Sequence, residues 1–182
     1  MRPLDEETIK KIRKLRKEAG DSESFPPVLI HNQDRVIVTD GSMLFDWPVE
    51  SVDQECSGYH KLLSVQQHPH FGPRLGRLKD ESWQSFFIKP GVRLVPAVEV
   101  DPTEVEVQKM KKEGCPFHIF VPKKGKTTWY YNWSMIALAE FLIEEPSYQM
   151  VIPANATNVD IKRAMIVTEG NATVGIFANR LK

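Results

Sequence analysis

Glu99 and Asp101 stand two residues apart in the segment VEVDPTEVEV at 98–107. Paired carboxylates at a strand end are the residue type that holds a divalent cation and activates water. Cys56, His60, His68 and His70 form the other group with metal-ligand side chains. Their spacings match no zinc pattern, and neither C-x-x-C nor H-E-x-x-H occurs, so loop and surface roles account for them and no metal site or cofactor is assigned. Cys115 with His118 could supply a thiol nucleophile, but a small buried cysteine beside Pro116 is the ordinary explanation. The chain contains no Gly-rich phosphate loop and no G-x-S-x-G elbow. Nucleotide hydrolysis and serine-type hydrolysis therefore have no support in the sequence.

The remaining chemistry is electrostatic. Residues 1–20 carry seven basic and four acidic side chains, a local net of +3 in a chain whose 24 basic and 24 acidic residues otherwise balance. With no whole-molecule field to draw it onto nucleic acid or anionic lipid, any such binding must come from this local charge. Lys10, Lys11, Arg13, Lys14, Arg16 and Lys17 are the candidate DNA-binding residues, since six cations within eight positions suit a phosphate-tracking surface. The plain alternative is a solvated helix face.

At 182 residues the chain is long enough to bury a core without metals or disulfides, and the expectation is one domain over 1–182 with an elaborated middle at about 53–127. Two cysteines are too few for a stapled secreted scaffold, which favours a reducing compartment. The first residues lack the apolar core of a secretory signal, and no stretch approaches the roughly 20 apolar residues that span a bilayer. A cytoplasmic protein with no membrane partner is expected, so the sequons at Asn132, Asn155 and Asn171 read as coincidence.

The elements that must position these residues follow from periodicity. Asp5, Glu6 and Glu7 open a helix, Leu4, Ile9, Ile12, Leu15 and Ala19 form its apolar face, and Gly20 is placed to end it. Val28–Ile30, Arg35–Thr39 and Met43–Trp47 read as strands, joined by turns at His31–Asp34 and Asp40-Gly41. The pattern weakens from Asp53 to Glu81, where HPHFGP at 68–73 looks like loop. Phe86–Ile88 and Val92–Val100 resume strand character. Alternation of Val and Glu about Asp101-Pro102 predicts a hairpin or extended chain over 98–107, with a helix over TEVEVQKMKKEG closed by Gly114 as the competing pattern. Phe117–Val121 and Thr127–Tyr131 flank a turn at 123–126. Ser134 is expected to cap a helix from Met135 to Glu144, apolar nearly all round and hence buried or covered by a partner. Arg163–Thr168 and Thr173–Phe177 form a closing hairpin.

Two family resemblances bear on function. Glu99 and Asp101, followed by Gln108, Lys109 and a strand at 114–121, distantly resemble the core of PD-(D/E)xK nucleases, in which an acid and a lysine two positions later bind metal. Here Asp101 stands where the lysine should be, and solvated strand-face carboxylates are the simpler account. The helix LDEETIKKIRKLRKE, the strand PPVLIH and then DRVIVTDGSMLFDWPVE resemble the opening of a bacterial β sliding clamp domain, especially the small clamp-like proteins of phages. WYYNWSMIALAEFLIEEPSYQMVIP resembles the second helix and following strand of such a domain, and IKRAMIVTEGNATVGIFANRL its closing hairpin. This likeness covers about residues 4–50 and 128–182. It implies an α+β fold with two helices packed on antiparallel sheets, no catalysis, replication proteins as partners and a DNA-facing helix. That role falls on Lys10, Lys11, Arg13, Lys14, Arg16 and Lys17. The second helix departs from the pattern by offering Glu140, Glu144 and Glu145 in place of cations. One domain cannot close a ring alone, so encirclement implies a homo-oligomer joined through strand edges. A third expectation is an interaction or inhibitor protein that uses Trp129, Tyr130, Tyr131 and Trp133 as binding aromatics, their plain alternative being core.

Overall fold

The Asn32–Arg35 reversal, the first turn of the chain's antiparallel meander, needs only two linking residues, and Gln33 adopts φ +50° to make it. In the computed structural model, which describes residues 1–18, 27–40, 43–67, 91–114, 116–123, 128–153, 164–169 and 172–177, this hairpin begins a ten-stranded sheet. The strands are β1 (Val28–Asn32), β2 (Arg35–Thr39), β3 (Met43–Pro48), β4 (Leu63–Ser64), β5 (Val92–Val100), β6 (Phe117–Pro122), β7 (Trp129–Asn132), β8 (Ser147–Pro153), β9 (Ala164–Glu169) and β10 (Ala172–Phe177). The helices are α1 (Glu6–Glu18), α2 (Ser57–His60), α3 (Glu104–Glu113) and α4 (Trp133–Leu142). The fold is α+β, as the sequence indicates.

Spatial order in the sheet is β4-β1-β2-β3-β10-β9-β8-β5-β6-β7. Only the β1–β4 pairing is parallel among the named strands. The centre carries an internal symmetry: a helix followed by a three-stranded meander occurs twice, as α1-β1-β2-β3 and as α4-β8-β9-β10. The last strands of the two units, β3 and β10, pair antiparallel from Thr173↔Asp46 to Ile176↔Met43. The two helices pack on each other on one face of the sheet.

Alternation along the strands sends side chains to two faces. Leu29, Val36, Val38, Met43, Phe45, Trp47, Met150, Met165 and Val167 join Ile9, Ile12 and Leu15 of α1 and Met135, Ile136, Leu138 and Leu142 of α4 in one buried cluster. Val28, Ile30, Ile37, Leu44, Val151 and Ile166 form a smaller cluster on the opposite face. Both faces of the central strands are therefore dry, which explains why β1 and β2 read as nearly continuous apolar runs.

Two expectations need correction. The 98–107 segment is not a hairpin: β5 runs to Val100, and α3 starts after Thr103. Thr103 accepts from the Glu106 N–H while the Glu106 carboxylate accepts from the Thr103 N–H, and Gly114 closes the helix at φ 64°. Two good caps outweigh the strand preference of Val105 and Val107. The cap of α4 is Asn132 rather than Ser134, because its side-chain oxygen accepts from the Ser134 N–H at 3.0 Å and the helix begins at Trp133. The described part of the middle section, about 53–127, holds α2, β4, a 3₁₀ turn at Val65–Gln67, β5, α3 and β6. The expectations placed on Ala19, Gly20, Gly41, 68–73, Phe86–Ile88 and Cys115 lie outside the described residues.

Pro96 marks a change of partner within β5. Val92–Pro96 pair with β8 and Ala97–Val100 pair with β6. Proline has no N–H to continue a ladder, and its carbonyl accepts instead from Lys123 N at 2.8 Å.

Candidate nucleic-acid interface

The start of α1 is fixed by Asp5, whose carboxylate accepts from the Thr8 N–H at 2.9 Å, and the apolar residues Ile9, Ile12 and Leu15 then press one face into the core. Of the six candidate cations, five reach the remaining surface. Lys10 and Lys14 are exposed, at 74% and 69% of their side chains, and each meets an acid one turn away on its own helix: Glu6 at 3.7 Å and Glu18 at 3.9 Å. Such exposed pairs are weak, because water and salt screen them, and they release readily to a stronger anion. Lys17 is exposed beyond them. Lys11 leans the other way, its Nζ 5.5 Å from the centre of the Phe141 ring on α4. Arg13 donates from Nη2 to the Lys61 carbonyl at 2.7 Å.

Arg16 does not belong to this surface. Its side chain is 3% exposed and its Nε lies 2.5 Å from Oδ2 of Asp40, itself buried. The Asp40 carboxylate also accepts from the Met43 N–H at 2.9 Å. Arg16 thus ties α1 to the turn between β2 and β3, and a phosphate cannot reach it.

Two cations were not singled out by the sequence. Lys61 is exposed just after α2 and reaches α1 through Arg13, while Arg2 stacks over Phe141 at 4.6 Å and is half-exposed. Lys61 had no local signal, since its neighbourhood in the chain is neutral; only the packing of α2 on α1 brings it in. That packing depends on Glu6 and Gly58. The Glu6 carboxylate accepts from the Gly58 N–H at 2.7 Å and from the Ser57 hydroxyl at 3.1 Å, which holds its pKa below the usual carboxylate value. A Cβ on Gly58 would come within 2.9 Å of that carboxylate and 3.2 Å of Ile9, so the helices meet this closely only because residue 58 has no side chain.

The outward face of α4 differs. Ser134, Met135, Ile136, Leu138, Ala139 and Leu142 are buried, leaving Trp133, Ala137 and Phe141 half-buried and Glu140 exposed, with Glu144 exposed just beyond the helix. Two of the four aromatics proposed as contact residues are core, Trp129 at 4% and Tyr131 at 0% exposed, while Tyr130 and Trp133 are half-buried. Tyr131 packs edge-on to Phe120. Tyr130 donates to Glu106 at 2.8 Å, and burial followed by that carboxylate pushes its pKa up.

Glu99 and Asp101 line a cleft of about 550 Å³ with Val100, Pro102, Phe117, His118 and Ile119. His118 Nδ1 lies 2.5 Å from Glu99 Oε1. Lys109 is on α3, a helix with no buried residue. No group of three or more His, Cys, Asp and Glu among the described residues is arranged to hold a metal ion. Cys56 serves as the cap of α2, its sulfur accepting from the Tyr59 N–H, and His60 is exposed; His68 and His70 lie outside the described residues. No helix among the described residues is long and apolar enough to cross a membrane.

No family model, curated protein or solved structure matches this chain. The main feature of the surface itself is a row of cations on a helix whose other face is buried.

Proposed function

We propose that this protein is a non-enzymatic, clamp-like DNA-associated domain of the replication machinery, which contacts the phosphate backbone through Lys10, Lys11, Arg13, Lys14 and Lys17 of α1, with Lys61 beside them. The observation that carries this reading is the exposed cationic stripe of α1 on a two-helix layer. The apolar side of the same helix is locked into the core, so the charges are displayed from a fixed support. The repeated helix-meander unit and the central β3–β10 pairing support the resemblance to a clamp domain drawn from the sequence. Lys10, Lys14 and Lys17 follow one another at i, i+4 and i+7 and so share one line along the helix. The aromatic ring nearest to them, Phe141, is half-buried beneath Arg2 and Lys11. Phosphate contact of this kind is independent of sequence.

The test is duplex binding across a salt series, with Lys10, Arg13, Lys14 and Lys17 reversed to Glu. The wild type should bind with a steep salt dependence, and each lost phosphate contact should reduce the log–log slope by about 0.9. Binding that ignores salt, or that survives the fourfold reversal, refutes the proposal.

A metal-dependent nuclease is the second reading, favoured by the formation of α3 after the Glu99–Asp101 pair. Mg²⁺- or Mn²⁺-dependent cleavage of DNA, abolished by Glu99→Ala and Asp101→Ala, would establish it.

A further inference from the structure

The two helices that share one layer carry opposite charge on their outward faces. On α1 the exposed line is Lys10, Lys14 and Lys17, flanked on the same side by the exposed Glu7 and Glu18, so that its net charge is basic but not uniformly so. On α4 the line is Glu140, continued by Glu144, with the half-buried Trp133, Ala137 and Phe141 along the same side. The spacing supports this assignment within the helix: 133, 137 and 140 follow one another by three or four residues, the separation that keeps side chains on one face, while Glu144 follows just beyond the extended Ile143 and Glu140 accepts from the Tyr148 hydroxyl at 3.5 Å. The two lines are adjacent, because α1 packs on α4 and Lys11 and Arg2 both sit against Phe141.

A basic line beside an acidic line is self-complementary. If a second copy is turned over about a two-fold axis running in the groove between α1 and α4, its basic α1 lies over the acidic α4 of the first copy, and the reciprocal contact forms at the same time. That is the isologous geometry of a two-fold dimer. The apolar residues between the charged lines supply what charge alone cannot, since exposed ion pairs fix register and choice of partner more than they add affinity. Trp133 and Phe141 are of the aromatic class enriched at the centres of such contacts.

We infer that the helical layer is a docking surface for a second copy of this chain, with α1 of each copy seated on α4 of the other. This contact uses the face proposed above for DNA, so the dimer and the DNA complex exclude one another. Self-association would then hold the cations of α1 out of reach until duplex displaces the partner.

The test is sedimentation equilibrium on the full chain at low and high salt, with melting curves as the folding control. The wild type should dimerise and weaken as salt rises. Lys10→Glu/Lys14→Glu/Lys17→Glu and Glu140→Lys/Glu144→Lys should each weaken self-association by at least about tenfold, because each sets like charges opposite one another. An equimolar mixture of the two variants should form a heterodimer, since both reciprocal contacts become attractive again. A wild type that stays monomeric through the low-salt concentration series overturns the inference, as do variants that dimerise like wild type or a mixture that stays monomeric. Glu140→Lys/Glu144→Lys leaves the α1 cations in place. It should bind duplex at least as well as wild type, so loss of the dimer and failure of the DNA proposal give separate results.

Discussion

Arg16 shows how one residue changes meaning between sequence and structure. Counted by type it belongs with the other cations of α1, yet it stands four residues after Ile12 and seven after Ile9, on the apolar stripe. The helical period therefore contained the warning, and the matching acid was Asp40 in the turn that follows β2. A buried pair of this kind is costly to break from one side, because the partner keeps an unpaired charge. Asp40→Ala should lower stability by about 3–5 kcal/mol in urea unfolding, whereas Arg16→Met combined with Asp40→Asn should recover a substantial part of that loss. DNA binding per folded molecule should be unchanged in the double variant, which separates Arg16 from its neighbours on the helix. Gln33 offers a second test at this scale. Its φ of +50° places an L side chain in the left-handed region, at a cost of roughly 1–2 kcal/mol. Gln33→Gly should raise the melting temperature or leave it level, and Gln33→Val should lower it.

Among the elements, α1 and the β1–β3 meander were legible because their periods are clean and their ends carry the right residues: Asp5 for the helix start, Asp40 for the approach to β3. The helix α4 was legible as a buried element but its start was not, since Asn132 and Ser134 are both good caps and only the Asn132 side-chain oxygen faces the open N–H. The helix α3 was misjudged because Val-Glu alternation mimics a strand, while the deciding features were its caps at Thr103 and Gly114. Having no buried residue, α3 depends on those caps and on the Tyr130–Glu106 hydrogen bond. Thr103→Ala should cost about 1 kcal/mol locally and speed amide exchange in α3, with little change in global melting. Contact between α1 and α2 should depend on pH. The pKa of Glu6 is lowered from 4.5 in the folded state, so its contribution is present above that value and is lost as pH falls through the lower folded value. Protection of the Gly58 amide should drop in that acid window, and Glu6→Gln should remove the dependence.

At the scale of the whole molecule, the two helix-meander units are distant in the chain but share one core. The larger buried cluster takes Ile9, Phe45 and Trp47 from the first unit and Leu138, Met150 and Val167 from the second. The units also share a ladder at β3 and β10, which joins residues about 130 positions apart. Such non-local pairing makes folding slow, because a long loop must close before any contact rewards it. It also means that neither half can hide its apolar face alone, so unfolding should be a single event. Leu138→Ala, which empties a fully buried site on α4, should remove about 2–5 kcal/mol. The decisive measurement is where that loss is seen. Fluorescence of the tryptophans, of which Trp47 is fully buried in the first unit, and amide exchange in β9 of the second should report the same urea midpoint and the same shift. Coincident transitions place both units in one cooperative body; a loss confined to β8 and β9, with Trp47 unfolding at its original midpoint, would mean that the two units are separate domains joined only at their edge strands.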